Sequence, residues 1–105
     1  MAETLDSALK RELRAVLDRR PVTEAELRKL FEQGRACELI LAGQLEKEEE
    51  RLARLAADAA SPFTEVAATL RRVNELRPDL AELHRLLGAL DAQARELRAA
   101  WVSAS

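Results

Sequence analysis

The strongest constraint on the fold is a row of positions that repeats at alternating spacings of four and three residues, in a stretch without proline over 23–60. The row consists of Leu27, Phe31, Gly34, Glu38, Leu41, Leu45, Glu48, Leu52, Leu55 and Ala59. This spacing is typical of a helix that packs along a neighbouring helix nearly side by side. It predicts a helix over 23–60, roughly 54 Å long at a rise of 1.5 Å per residue. Composition agrees, because Ala and Leu supply 39 of the 105 residues and strand formers are scarce.

A shorter amphipathic helix is predicted over 4–20. Its apolar face carries Leu5, Leu9, Leu13, Val16 and Leu17. Pro21 ends this helix, because the residue before a proline disfavours the α region. The next start signal is a capping box of Thr23 and Glu26, with Val22 and Leu27 placed as a hydrophobic staple. We therefore expect a helix boundary at Thr23.

The chain after residue 60 is predicted to turn back at once. Ser61 is a candidate N-cap and Pro62 suits the first helical position, so almost no loop is needed. Helices are predicted over 62–76 and 79–102, and Pro78 either kinks one helix or separates two. The second of these carries an apolar row of Leu80, Leu83, Leu87, Leu90, Ala94, Leu97 and Trp101.

These lengths predict one all-α domain over 1–105. The two long helical stretches are similar in length and should form a long antiparallel hairpin, coiled-coil-like, with the short N-terminal helix completing a three-helix bundle at one end. The other end is expected to remain two-stranded. Residues 37–41 are apolar most of the way round the helix and are expected to be clasped on several sides. Residues 46–51 are six consecutive charges, most simply interpreted as a solvated stretch, with an acidic recognition surface as the alternative.

Charge and hydropathy exclude several classes of partner. The net charge of −2 gives no field for a nucleic acid. Residues 13–30 have the outline of a helix-turn-helix, but Glu24 and Glu26 would face phosphates. The longest uncharged interior stretch, 39–45, is far shorter than a membrane span, and the N-terminus has no basic segment typical of export signals. We expect a cytoplasmic protein that binds neither nucleic acid nor membrane.

The residue types for catalysis are also sparse. One Cys and one His provide neither an intramolecular disulfide nor a standard zinc site. His84 is interpreted as a boundary residue and Cys37 as buried packing, since neither has the neighbours of an activated nucleophile or base. Trp101 is either a core residue, which we favour, or an exposed anchor for a partner. The sequence therefore predicts no enzyme activity, cofactor or metal.

The asymmetry of the hairpin indicates a site for a protein partner. The uncovered rows at the two-stranded end are the candidate site: Leu45, Glu48, Leu52, Leu55, Phe63, Val66 and Leu70. The favoured hypothesis is a non-catalytic interaction module, a chaperone or adaptor that packs a partner helix on this hairpin. The alternative is a self-assembling structural coiled coil, in which a homodimer or four-helix bundle buries the same rows.

Part of the sequence resembles known helical chaperones. In residues 27–79, the charged run 46–51 leading into 52–55, Leu70 in the following helix and the segment Arg77-Pro78-Asp79 resemble tubulin-binding cofactor A, a family of small three-helix chaperones. Residues 86–91 are similar to bacterial flagellar export chaperones, which present a helical hairpin to a partner helix. The first resemblance implies tubulin as the partner, and the second implies another helical protein.

Overall fold

The chain forms three helices in a computed structural model that describes residues 5–18 and 23–104. They are α1 (Leu5–Asp18), α2 (Glu24–Ala57) and α3 (Phe63–Ala104). No strand occurs among the residues described. The prediction of an all-α fold, with a short N-terminal helix and a helical hairpin, is confirmed.

The predicted helix boundary at Thr23 is confirmed by its capping contacts. The backbone N–H of Glu26 donates to the Thr23 hydroxyl oxygen at 3.1 Å, and the N–H of Leu27 donates to the Thr23 carbonyl at 3.1 Å. The first bond satisfies a donor at the start of the helix that has no partner within the helix, and the second is the first regular bond of α2. Pro21 and Val22, predicted as a helix stop and as half of a hydrophobic staple, lie outside the described residues.

Of the two alternatives at Pro78, a separation into two helices is not observed, because α3 continues through Pro78. A proline inside a helix loses one backbone hydrogen bond, which here is the bond to the carbonyl of Asn74. Pro78 is exposed, while Leu76 and Leu80 on either side of it are half-buried. Packing of the flanking turns thus favours helix on both sides of the proline, and one missing bond does not end it.

A first compact unit comprises Met1–Cys37 and Leu83–Ser105. Within it, the apolar face of α1 packs with segments of α2 and α3. Its buried apolar side chains are Leu9, Leu13, Val16, Leu27, Leu30, Cys37, Leu83, Leu86, Leu87 and Leu90. Each of these leucines removes apolar surface from water, at roughly 25 cal/mol per Å² buried. This unit therefore has a continuous three-helix core.

Gly34 lies where α2 and α3 approach each other closely within the first unit. A methyl group built on Gly34 would overlap Cδ2 of Leu87 and lie 3.2 Å from its Cγ. Leu87 is itself buried, so it has little room to move away. Gly88 contrasts with Gly34, because a methyl group there would meet no atom within 4 Å.

Replacing these two glycines with alanine should change the free energy of unfolding in opposite directions. Gly88→Ala should raise it by about 1 kcal/mol, the helix-propensity difference between alanine and glycine. Gly34→Ala should lower it by about 1 kcal/mol, because overpacking against Leu87 outweighs that gain. Urea denaturation followed by circular dichroism measures both. Equal stabilisation by the two variants would show that α2 and α3 do not pack closely at Gly34.

The second compact unit, Glu38–Glu82, is formed by the C-terminal part of α2 and the N-terminal part of α3. The connection between the helices covers residues 58–62, so the turn is longer than predicted and α2 ends three residues earlier. The unit has a thin core, since only Leu41, Thr69 and Val73 are buried within it. Most of its seam side chains are half-buried.

Candidate partner-binding surface

The turn of the second unit is organised by Asp58. Its side-chain Oδ1 accepts a hydrogen bond from the N–H of Ala60 at 2.9 Å, and its carbonyl accepts one from the N–H of Ser61 at 3.0 Å. The carbonyl of Pro62 then accepts bonds from the N–H groups of Glu65 and Val66. Ser61, predicted as the N-cap of α3, instead belongs to the turn. Aspartate stabilises such turns because its short side chain bonds to the backbone two residues further on.

Two interhelical ion pairs define the two sides of the second unit. An Nη1 of Arg72 donates to Oε1 of Glu48 at 3.2 Å, and an Nη2 of Arg77 donates to Oε2 of Glu49 at 2.7 Å. Glu48 and Glu49 are neighbours on α2 and point about 100° apart on the helix, so the two pairs lie on opposite sides of the seam. The charged run 46–51 is thus partly used in contacts between helices, which the prediction of a solvated stretch missed.

An apolar flank lies on the side of the Arg77–Glu49 pair. Phe63, Leu70 and Arg77 are spaced by seven residues and share one face of α3, with Val66 and Ala67 between the first two. Phe63 is 83% exposed and Leu70 is 46% exposed. We define the apolar flank by its α3 residues and by the α2 residues that fall on the same side by helical spacing. It comprises Leu45, Leu52, Ala53, Ala56, Phe63, Val66, Ala67 and Leu70.

The opposite, polar flank has a different character. It contains an open groove of about 400 Å³ around the Glu48–Arg72 pair, lined by Gln44, Glu48, Arg72, Glu75, Leu76 and Asp79. Oε2 of Glu48 is buried without a hydrogen-bond partner among the described residues. Because most lining groups are charged or amide side chains, this flank remains hydrated more easily than the apolar flank.

The structure divides the seven predicted site residues by environment. Phe63 and Leu70 are exposed on the apolar flank, and Glu48 pairs with Arg72 on the polar flank. The other four are half-buried along the seam of the hairpin: Leu45, Leu52, Leu55 and Val66. All seven residues therefore lie in the second unit, and five of them belong to the apolar flank. The other two, Glu48 and Leu55, lie toward the polar flank by helical spacing.

The expectation that residues 37–41 are clasped on several sides is wrong. Cys37 and Leu41 are buried, but Leu39 is 70% exposed and Ile40 is 56% exposed. Leu39 lies on the outer face of α2, opposite the buried Leu41, and Ile40 points about 100° away from Leu39, toward one side of the helix. The sequence pattern does not reveal this surface, because an apolar residue on an exposed face of a helix has the same spacing as one that packs against a further helix.

Trp101, favoured as a core residue, is instead 79% exposed. Within the first unit it borders an open groove of about 500 Å³ together with Leu97, Val102 and the ion pair of Arg98 with Glu24, whose Nε–Oε1 distance is 3.0 Å. The tryptophan lies near the end of α3, beyond the last buried residue of that helix, Gln93. The heptad row thus extends past the part of α3 that is covered.

The remaining candidates for chemistry are placed as follows. Cys37 is buried and His84 is exposed. Over residues 5–18 and 23–104, no group of three His, Cys, Asp or Glu side chains is arranged to hold a metal ion. The same part of the chain contains no helix with the length and apolar character that crossing a membrane requires.

Comparison of the chain with protein-family models, curated proteins and solved structures found no match. The resemblance to tubulin-binding cofactor A and to flagellar export chaperones therefore stays a prediction.

Proposed function

We propose that this chain is a non-catalytic helical interaction module, a chaperone or adaptor of the cytoplasm that binds a partner protein through the apolar flank of the hairpin. The observation that carries the proposal is the exposure of Phe63 and Leu70 on one face of α3, one heptad apart. Large apolar side chains grouped on a surface mark interaction sites more often than isolated ones do.

The flank has the form that a partner helix requires. Phe63, Val66, Ala67 and Leu70 follow the spacing i, i+3, i+4, i+7, which presents a continuous stripe over two turns. Alongside it, Ala53 and Ala56 of α2 have small side chains that leave room for a partner backbone to approach. A helix with its own apolar stripe could pack there and bury the Phe63 ring, which is worth about 2 kcal/mol for a large apolar side chain.

Two partner classes follow from the resemblances. Tubulin is the first, because the Arg77-Pro78-Asp79 segment and the charged run before it resemble the cofactor A family. A helical export substrate of the flagellar type is the second. Both would use the hairpin as a docking surface, and neither needs a catalytic group or cofactor.

Substitution of Leu70 by glutamate should weaken partner binding at least tenfold without loss of helicity. The charge would have to be desolvated beneath the partner, whereas in the unbound chain position 70 is 46% exposed and a carboxylate there can reach water. The first probe is purified tubulin, titrated against labelled wild-type chain and followed by fluorescence anisotropy. Phe63→Glu should act in the same way. Leu52→Glu is a less informative variant, because Leu52 is half-buried and its loss also affects the fold.

Ala68→Glu provides the matched control. Ala68 is exposed on the same helix, but its position around α3 places it away from the apolar flank. It introduces the same charge and should leave binding unchanged. If tubulin does not bind, proteins retained from lysate on wild-type, Leu70→Glu and Ala68→Glu chains are compared. A protein retained by the first and third but not by the second identifies the partner, and identical retention by all three contradicts the proposal.

A further inference from the structure

The α2 border of the apolar flank is acidic. Helical spacing places three charged residues of α2 on this side of the second unit, and all are acids: Glu38, Glu46 and Glu49. Glu48 pairs with Arg72 on the polar flank, and Glu50 points to the outer face of α2, opposite the seam. The three bases of α2 in this unit fall on the side of the polar flank: Lys47, Arg51 and Arg54.

The α3 border of the apolar flank has the opposite charge. Its two charged residues on this side are the bases Arg71 and Arg77. The four acids of α3 in the second unit fall toward the polar flank or the outer face: Glu65, Glu75, Asp79 and Glu82. The apolar flank is therefore bordered by acids along α2 and by bases along α3.

We propose that the apolar flank binds a second copy of the chain, related by a two-fold axis that runs parallel to the helices. Residues 38–57 of each copy then pack over residues 63–82 of the other, so that each acidic border faces a basic border. The second units of the two copies form a four-helix bundle around Leu52, Phe63 and Leu70. A two-fold interface has to be complementary to itself, and a surface with one acidic and one basic border meets that condition.

Glu46 and Arg71 are the residues that this arrangement brings together. Within one chain they lie at opposite edges of the flank, and neither has an ion-pair partner among the residues that the structure describes. Because Arg72 contacts Glu48, the nearby Arg71 and Glu46 lie at similar levels along the hairpin, within about one helical turn. A two-fold axis parallel to the helices preserves these levels. Glu46 of each copy is thus placed to pair with Arg71 of the other.

The remaining charges fit the same orientation. Glu49 and Arg77 already form a pair within the chain, and the second copy adds the same pair with the borders exchanged. Glu38 lies two helical turns before Leu45, outside the apolar part of the flank. A two-fold axis perpendicular to the helices would instead set acidic border against acidic border and basic against basic, which is unfavourable. Charge therefore selects the axis parallel to the helices.

Light scattering of the full chain across a wide concentration range tests the proposal. The apolar part of the flank covers residues 45–56 of α2, about 17 Å, so we expect a dimer that dissociates on dilution. At high concentration the wild-type chain should give twice the 11.7 kDa mass of one chain. Leu70→Glu should give the mass of one chain with unchanged helicity, whereas Ala68→Glu, away from the flank, should leave the dimer intact.

A charge exchange tests the orientation of the two copies. Arg71→Glu alone should raise the dimer dissociation constant roughly fivefold, because an acid then faces Glu46 at two places in the dimer. Adding Glu46→Arg should restore it, since both pairs are recreated with reversed signs. Glu50→Arg is the matched control, because it makes the same change of charge on α2 but on the outer face. It should leave the dissociation constant unchanged.

Three results would overturn the proposal. They are a wild-type chain that stays monomeric at every concentration, a dimer insensitive to Leu70→Glu, and a double variant that dimerises no better than Arg71→Glu.

The proposal rests on the function proposed above in using the same flank, but the two can fail separately. A monomeric wild-type chain overturns only the dimer, and the comparison of wild-type and Leu70→Glu chains with tubulin or lysate still decides partner binding. A dimer whose wild-type and Leu70→Glu chains retain identical proteins contradicts only the proposed function. If both hold, an excess of the partner should dissociate the dimer, because the two complexes bury the same side chains.

Discussion

Replacing Leu13 by alanine is expected to lower the free energy of unfolding by about 3 kcal/mol. Leu13 is completely buried, with 0% of its surface exposed, at the centre of the apolar face of α1. Truncation removes the transfer free energy of the lost carbon atoms and leaves a cavity lined by neighbouring side chains, and leucine-to-alanine changes in cores cost about 2–5 kcal/mol. For a chain of this size that is a large part of the total stability.

Glu12→Ala is the matched control for Leu13→Ala. Glu12 is the preceding residue of α1 and is exposed, so its replacement should change stability by no more than about 0.5 kcal/mol. Chemical denaturation followed by circular dichroism measures both variants. A similar small change for Leu13→Ala would mean that α1 does not pack into the three-helix core in solution.

Replacing Val73 by aspartate is expected to be still more damaging, at about 4 kcal/mol. Val73 is 0% exposed and is the most completely buried side chain of the second unit. A carboxylate at this position would lie between the two helices of the hairpin without a partner, and a buried unpaired charge costs several kcal/mol. The affected segment has few other buried contacts with which to compensate.

The control for Val73→Asp is Ala68→Asp. Both changes introduce one aspartate into α3, but Ala68 is exposed. Thermal unfolding monitored at 222 nm should show a marked loss of stability for Val73→Asp and little change for Ala68→Asp. If the two variants unfold alike, the hairpin seam at Val73 is open to water rather than packed.

Much of the fold could be predicted from local patterns. The N-cap at Thr23 was identified correctly, because its bond joins residues three apart in the chain. The heptad spacing predicted which α2 residues face the seam, and Leu27 and Leu41 are buried accordingly. Both signals act within one or two helical turns, where the geometry of the helix is fixed.

Errors arose where packing competes with a local signal. At Pro78 the sequence left a kink and a break open, and the flanking turns of α3 keep one continuous helix. Ser61-Pro62 predicts an immediate restart, yet Asp58 organises a five-residue connection through its own backbone and side-chain oxygens. Asp58, Ser61 and Pro62 are all residue types that favour turns, so this second error could have been avoided.

The sequence predicts where the candidate site lies, but it does not predict which apolar side chains are exposed elsewhere on the chain. The two-stranded segment follows from helix lengths alone, and Phe63 and Leu70 lie exposed within it. The exposure of Leu39, Ile40 and Trp101 could not be inferred from the sequence. An apolar residue on a helix is buried only if another helix packs over it, and the sequence of one helix does not show whether such a helix is present.

The thin core of the second unit also has a consequence for motion. The two helices of the second unit are held together by Leu41, Thr69, Val73 and half-buried seam residues. They can separate at a smaller free-energy cost than global unfolding requires. Backbone amide hydrogens near the Asp58 turn would then exchange with solvent through such local openings, without global unfolding of the chain. A binding partner that closes the hairpin would slow this exchange, so protection of these amides reports occupancy without any label on the partner.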